Sequence, residues 1–318
     1  MELNTKNKQL NQTQDLNDDE IDFLNLIKPL WKKKLLIILL TVLSGLVSYM
    51  YSLTIVNTYK SEAILIPSRN VMNNSNQTNS SFSGLANFAG IALKNSSTSN
   101  DVLIGLEIMK SLNFYEQFLK NNDLYIELQA ATGWSKKNND LILNSNLYDV
   151  NQKKWISEDE FSVNGRPSLQ STHSSFLKKF QISNDSQSGL IKLSFEHYSP
   201  YKAQIILNKL IKDINTITKE DDIDIAYKTI AFLEAELEKS NLNDLRIGIN
   251  DLIQKQIEKI ALANSSPEYL FQILSGPHVP ESKTSPNRSY ILVIGMLISF
   301  FATSISILFV NSYKLHKA

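Results

Sequence analysis

Two long apolar runs near opposite ends of the chain constrain its architecture more than any other feature. Leu35–Val56 and Tyr290–Val310 each pass without a charged side chain. A hydrocarbon core of roughly 30 Å needs about 20 helical residues, so each run can cross a bilayer once. Residues 57–289 then form one block on one side of the membrane.

Lysine placement predicts the orientation of the first run. Lys28 and the triplet Lys32–Lys34 precede it, whereas Lys60 is the nearest basic residue after it. Basic residues concentrate on the cytoplasmic side of membrane helices. We therefore expect both termini in the cytoplasm and residues 57–289 on the opposite, periplasmic side.

The resulting domain organisation has five parts. We predict a cytoplasmic tail and juxtamembrane helix, two transmembrane helices, a periplasmic α+β domain between them and a short cytoplasmic tail. The first tail and the juxtamembrane helix take residues 1–34, and the transmembrane helices take residues 35–56 and 290–310. The periplasmic domain takes residues 57–289, and the last tail takes residues 311–318. Within the first part, residues 1–17 are polar and read as disordered, and acids before Ile21 and Phe23 favour an amphipathic helix.

The composition excludes several classes of function. The formal net charge is zero, so no overall positive field points to nucleic acid. Four arginines among 32 basic residues give little basis for a polyphosphate clamp. Because the chain has no cysteine, it has no disulfide, thiolate metal site or cysteine nucleophile.

Shorter patterns after the first run predict the elements of the α+β domain. Thr58–Ile66 has strand-like alternation and ends at Pro67. Val102–Leu119 carries apolar residues at helical spacing. Phe176–Ile182 and Leu190–Phe195 fit either a strand pair or a helix end and a strand. Glu268–Leu274 fits a short strand. The apolar island Phe82–Leu93 could pack on the domain or contact a partner.

A very long helix is predicted from about residue 200 to residue 263. Pro200 suits a first helical position after Ser199, and isoleucine and leucine then follow one face in three- and four-residue steps. If unbroken, about 64 residues at 1.5 Å each give a rod of about 95 Å. Ser240–Asn243 is the weak point where the helix would kink or split. Its narrow apolar stripe must be buried against its own domain or against copies of the chain.

Residues 276–288 form a proline-rich approach to the second run. Pro277, Pro280 and Pro286 fix the backbone φ angle and remove amide donors. We expect a stiff, extended segment rather than a hinge.

No catalytic signature stands out. The four histidines, His173, His197, His278 and His316, lack metal-ligand spacing. The acidic groups at 158–160 and 221–224 could be imagined as a glycosidase pair but are better read as solvated faces. No phosphate-binding glycine loop occurs. We expect a protein that is not an enzyme and needs no cofactor or metal.

Several features together resemble one bacterial family, the chain-length determinant (Wzz-type) polysaccharide co-polymerases. A start of the form EIDFLNLIKPLWKKK runs into a span, and a YKSEAIL strand, a GLANFAGIAL island, a long helix and a proline-rich run follow. The most specific element is the P-x2-P-x4-S-P signature, which stands here as Pro277, Pro280, Ser285 and Pro286. The lysine that commonly follows it is Asn287 here, and two glycine positions of the family fall on Ser299 and Thr303.

This resemblance implies a function. Such proteins are non-enzymatic regulators in the bacterial inner membrane, with their bulk in the periplasm. They assemble as a homo-oligomeric ring and set the length of O-antigen or a related lipopolysaccharide glycan. They work beside a membrane polymerase and its lipid-linked glycan. With eight residues after the second run, the chain resembles the type without a linked kinase. The alternatives are a two-span periplasmic sensor, a periplasmic export adaptor and an exopolysaccharide-export co-polymerase.

Small residues recur every four positions in the second run. Gly295, Ser299 and Thr303 lie on one helix face and predict a shallow groove. In lipid, close approach through small residues is a main source of helix association. The groove either receives the first span, from the same or a neighbouring subunit, or reflects the tolerance of membrane helices for such residues.

Overall fold

The computed structural model describes residues 29–68, 98–158, 160–185, 187–239 and 242–317. These residues divide between two compact units, one within residues 56–285 and a second made of residues 29–55 and 286–317. The polar tail, the juxtamembrane helix over Ile21 and Phe23, and the island Phe82–Leu93 lie outside the described residues.

The smaller unit contains two apolar helices. Helix α1 spans Lys34–Thr54, and the last helix of the chain, which we label α7, spans Arg288–Lys317. Lys34–Thr54 and Arg288–Asn311 are long and apolar enough to cross a membrane. Most of their large apolar side chains are exposed, as expected of side chains that face lipid.

The larger unit mixes strands and helices, so the predicted α+β class with two flanking spans and a long helix is confirmed. In chain order its elements are β1 (Tyr59–Pro67), α2 (Thr98–Lys110), α3 (Leu112–Asn122), a π-helical turn (Ile126–Ala130), β2 (Ala131–Ser135), β3 (Asp140–Leu143), β4 (Tyr148–Asp149), β5 (Lys154–Trp155), α4 (Leu169–Lys179), β6 (Phe180–Asn184), β7 (Ile191–His197), α5 (Pro200–Lys239), α6 (Asn243–Ser265) and β8 (Phe271–Ser275).

A four-stranded antiparallel sheet organises this unit, with the strand order β6-β7-β1-β8. Strand β1 is central because both of its edges are paired. Ser61, Ala63 and Leu65 alternate along it as buried residues, which gives the sheet one face for packing. On the other face, Glu62 forms ion pairs with Lys192 and Lys60. The hydrogen bond from Lys192 is the main cause that lowers the pKa of Glu62.

The main core lies between this sheet and helices α2, α3, α4 and α5. Its largest fully buried side chains include Tyr115, Phe118, Phe195 and Phe271. The single helix predicted over Val102–Leu119 is wrong in one respect, since the chain breaks between α2 and α3. Ser111 has extended backbone angles, and its hydroxyl accepts the Phe114 N–H at 3.1 Å as a helix N-cap.

The long helical stretch predicted over residues 200–263 is split into two helices that pack as a helical hairpin. Helix α5 ends at Lys239 and α6 begins at Asn243, close to the predicted weak point. Helix α6 then runs back along α5, since Arg246 contacts the Leu237 carbonyl near the tip and Lys259 pairs with Asp222 at 2.7 Å further down. The narrow apolar stripe is thus partly buried within the same chain, and Ala226, Leu233 and Ile249 become buried there.

Asn215 fastens α5 to the start of β8. Its side-chain oxygen accepts the N–H groups of Leu270 and Phe271, both at 2.8 Å. Its side-chain nitrogen donates to the carbonyl oxygens of Ile211 and Phe271. A fully buried amide is stable only when its hydrogen-bonding groups are satisfied, and Asn215 meets that condition with backbone groups from two elements.

Candidate functional site

The two apolar helices meet through small residues. The Ser44 hydroxyl of α1 donates to the Gly295 carbonyl of α7 at 3.2 Å. A Cβ atom added to Gly295 would lie 2.7 Å from the Ser48 Cβ and would clash with the Ser48 hydroxyl. The absence of a side chain at Gly295 therefore lets the two backbones approach closely, as small residues do in membrane interfaces.

The other two groove residues take different roles. The Ser299 hydroxyl lies 3.4 Å from the Leu40 carbonyl oxygen of α1, so Ser299 also faces the first helix. The Thr303 hydroxyl instead donates to the Ser299 carbonyl of its own helix at 2.8 Å. The structure thus brings Gly295 and Ser299 to the contact, whereas the described hydrogen bonds of Thr303 stay within α7.

The contact surface on α1 was missed by the sequence reasoning. Ser44, Ser48 and Ser52 recur every four residues, the same pattern that singled out the groove in α7. Ser52 is fully buried, and a Cβ added to Gly45 would lie 2.6 Å from the Met296 Cε. A search for small residues in the first span, as in the second, would have found this face.

The two helices are antiparallel. From Leu40 to Ser48 along α1, the partners on α7 move backwards from Ser299 to Gly295. An antiparallel pair is what two successive membrane spans require.

The proline-rich segment lines the sheet within the larger unit. Strand β8 pairs only with the last four residues of β1, and the register shifts between Ile64 and Leu65. The chain after β8 then follows the rest of that edge. The Ser61 hydroxyl donates to the His278 carbonyl at 2.7 Å, and the Thr58 N–H donates to the Ser285 carbonyl at 2.9 Å.

The signature prolines are arranged along this path. Pro277 and Pro280 are half-buried, and the Pro277 carbonyl accepts the side-chain N–H of Gln204 from α5 at 3.1 Å. A segment poor in backbone donors is tolerated beside a strand because few amides are left unpaired. Ser285 carries the pairing with Thr58, and Pro286 begins the second part of the smaller unit.

Asn287 has a local role that the family's common lysine would not supply. Its side-chain oxygen accepts the N–H of Tyr290 at 3.3 Å, three residues further on. This is the hydrogen bond of a helix N-cap, and asparagine is among the preferred residues at that position. Asn287 therefore starts α7 directly after the proline-rich segment.

The described histidines and acidic residues considered for metal binding or catalysis lie in different parts of the structure. His197 is buried and His173 contacts the Lys110 carbonyl, while Asp222 belongs to the helical hairpin. Among the described residues, no group of three histidine, aspartate or glutamate side chains could hold a metal ion. Asp159 lies outside the described part, so the acidic group at 158–160 is described only in part.

Comparison with protein families addresses the first part of the chain. Residues 19–129 match the family model described as Wzz, chain length determinant protein. The chain carries a Wzz region. The resemblance predicted from the sequence is therefore confirmed here, and the Wzz region includes α1, β1, α2 and α3. The proline signature and the second span lie beyond it.

Other comparisons add weak likenesses. No curated protein matches the chain. A full-length bacterial polysaccharide co-polymerase is 11% identical, covering 93% of this chain and 99% of its own, with a TM-score of 0.37. A fragment of WzzB, the polysaccharide co-polymerase from Salmonella Typhimurium, is 11% identical, covering 72% of this chain and 100% of its own, with a TM-score of 0.28.

Proposed function

We propose that this protein regulates the chain length of a bacterial surface polysaccharide without catalysing polymerisation. The observation that carries the proposal is the Wzz region at residues 19–129, since that family is described as chain length determinant proteins. The two candidate membrane helices, which flank the larger unit in the sequence, fit an inner-membrane protein. We take the glycan to be O-antigen or a related lipopolysaccharide glycan, as the sequence resemblance implies.

Membrane orientation follows from the lysines before the first span. On this proposal both termini are cytoplasmic and residues 57–289 lie in the periplasm. Lys32, Lys33 and Lys34 support it, because basic residues are retained on the cytoplasmic side.

The proposed working form is a homo-oligomeric ring beside a membrane polymerase and its lipid-linked glycan. The helical hairpin supports self-association because it exposes large apolar side chains that a lone subunit leaves in water. They include Ile225, Tyr227, Phe232, Leu245, Ile247 and Ile257, each at least 46% exposed.

We propose that the antiparallel contact between α1 and α7 also contributes to length control. Gly295 and Ser299 hold the two spans close together, and Asn287 starts α7 where the proline-rich segment ends. On this proposal, the contact and the stiff segment together set the geometry of the subunit presented to the polymerase.

Deletion of the gene tests the function. Surface polysaccharide from the deletion strain is resolved on a gel beside that from the parent and from a strain complemented with the intact gene. We expect polymer of altered length distribution in the deletion strain and the parental distribution after complementation. Loss of surface polymer with retained synthesis would indicate an export co-polymerase, and an unchanged profile would favour a sensor.

A further inference from the structure

Both covalent connections to the membrane spans leave the larger unit at one place. The Thr58 N–H donates to the Ser285 carbonyl at 2.9 Å, and the Thr284 N–H donates to the Thr58 carbonyl at 2.8 Å. Only residues 55–58 connect the end of α1 at Thr54 to β1, and only Pro286 and Asn287 connect Ser285 to α7. If the two spans cross a bilayer, this end of the larger unit is held near its surface.

Three aromatic side chains from separate elements meet at this end. The Trp134 ring of β2 lies edge-on to Tyr59 of β1, with ring centroids 5.7 Å apart, and 6.3 Å from the ring of Tyr201 in the first turn of α5. Tyr201 is 48% exposed. Tyrosine and tryptophan concentrate at the headgroup level of bilayers because each combines an apolar ring with a polar group.

Two lysines extend the aromatic group. Lys136 and Lys137 are exposed in the turn that joins β2 to β3, and the Trp134 indole N–H donates to Asn139 of the same turn at 3.0 Å. Asp140 follows the turn, so the two lysines leave the hairpin tip with an excess of positive charge. Lysines next to a membrane are attracted to anionic lipid headgroups.

We propose that Tyr59, Trp134, Lys136, Lys137 and Tyr201, which we call the base patch, bind the headgroup region of an anionic bilayer. Covalent proximity to both spans favours a lipid surface over a distant partner, and the combination of aromatic rings with adjacent lysines fits that surface chemically. The proposal rests on the two spans crossing a bilayer and is independent of the role in polysaccharide length.

Fluorescence of Trp134 in the full-length protein tests the base patch. Trp31→Phe and Trp155→Phe leave Trp134 as the single tryptophan, and circular dichroism checks that this variant keeps its fold. The protein is placed in nanodiscs of phosphatidylcholine with phosphatidylglycerol, with lipid brominated on the acyl carbons nearest the headgroup as the quencher. We expect loss of Trp134 emission in the brominated discs and protection from aqueous iodide.

A paired charge change tests the lysines. In the single-tryptophan protein, K136Q/K137Q should reduce quenching by brominated lipid, and the reduction should match that seen when phosphatidylglycerol is left out of the disc. K228Q/K239Q removes the same charge from exposed lysines on the outer half of α5 and should leave the quenching unchanged. High salt should weaken the lipid contact of the protein with intact lysines, because it screens exposed charges.

Two results would overturn the proposal. One is full access of Trp134 to iodide in the discs without quenching by brominated lipid. The other is a response of Trp134 emission to purified surface polysaccharide without a response to brominated lipid, which would make the base patch a saccharide-binding surface.

Discussion

At the scale of single residues, the His197 imidazole is held neutral inside the larger unit. The Ser199 N–H donates to Nδ1 at 3.1 Å, so Nε2 carries the proton and donates to the Glu127 carbonyl at 3.0 Å. Burial lowers the pKa of His197 from 6.5 to about 4, and the positive charge of Lys179 acts in the same direction. The hydrogen bond to Glu127 opposes this shift but does not cancel it.

This lowered pKa predicts a loss of stability in acid. Between pH 6.5 and about 4 the unfolded chain binds a proton at His197 that the folded chain does not, so stability falls as pH falls. The free energy of unfolding should lose about 3 kcal/mol from this group across that window. His197→Gln should flatten the dependence of the melting temperature on pH. Parallel curves for the two proteins would contradict the assignment.

Ser299 gives a second prediction at this scale. Ser299→Leu places a large side chain where α7 approaches Leu40, and should cost roughly 1–2 kcal/mol of helix contact. On the proposed function it should shift the length distribution of surface polysaccharide at matched protein level. Phe301→Leu is the control, because the Phe301 side chain is 59% exposed, and should be mild. An unchanged distribution with Ser299→Leu and a shifted one with Phe301→Leu would place the functional face elsewhere.

At the scale of elements, one carboxylate joins the two arms of the helical hairpin. The Asp222 carboxylate of α5 accepts a hydrogen bond from the Lys259 ammonium of α6 at 2.7 Å and another from the Tyr269 hydroxyl at 2.6 Å. Asp222→Ala should therefore loosen α6, at a cost on the order of 1–3 kcal/mol because a charged hydrogen bond is lost. Hydrogen exchange of the α6 amides should accelerate. Asp224→Ala removes an exposed pair with Lys228 within α5 and should leave that exchange unchanged.

The same hairpin shows what the sequence could and could not predict. The apolar stripe and the Ser240–Asn243 weak point located two helical arms, but a rod and a hairpin share that pattern. Contacts between residues far apart in sequence, such as Asp222 with Lys259, decide between them. In the candidate site, four-residue steps predicted the groove around Gly295 and Ser299. The same four-residue spacing marks the matching face of α1, but only the paired helices show that Ser48 lies against Gly295.

At the scale of the whole molecule, the arrangement of the chain across the membrane is a prediction. Reporter fusions after Thr98 and Ala318 should be active with a periplasmic and a cytoplasmic reporter respectively. The physical reason is the lysine cluster before α1, which is costly to move across a bilayer. Activity in the reverse pattern would overturn the orientation.

Self-association is the second prediction for the whole molecule. The exposed apolar residues of the helical hairpin, such as Phe232 and Ile257, should be covered by neighbouring subunits. Mass measurement of the full-length protein in mild detergent should show a homo-oligomer well above a dimer. A monomer that still restores the parental polysaccharide profile would contradict the proposed ring.

The central position of β1 also has a consequence for how the protein folds. Leu65 pairs with Ile191 on one edge and with Ile273 on the other, so both partners of this strand are synthesised long after it. Sheets closed by such distant pairings form slowly, and unpaired strand edges can recruit other chains. A nascent chain that stops before Phe271 leaves one edge of β1 without its strand partner. Strand β1, the first strand to be synthesised, thus keeps an unpaired edge until β8, the last strand, has been made.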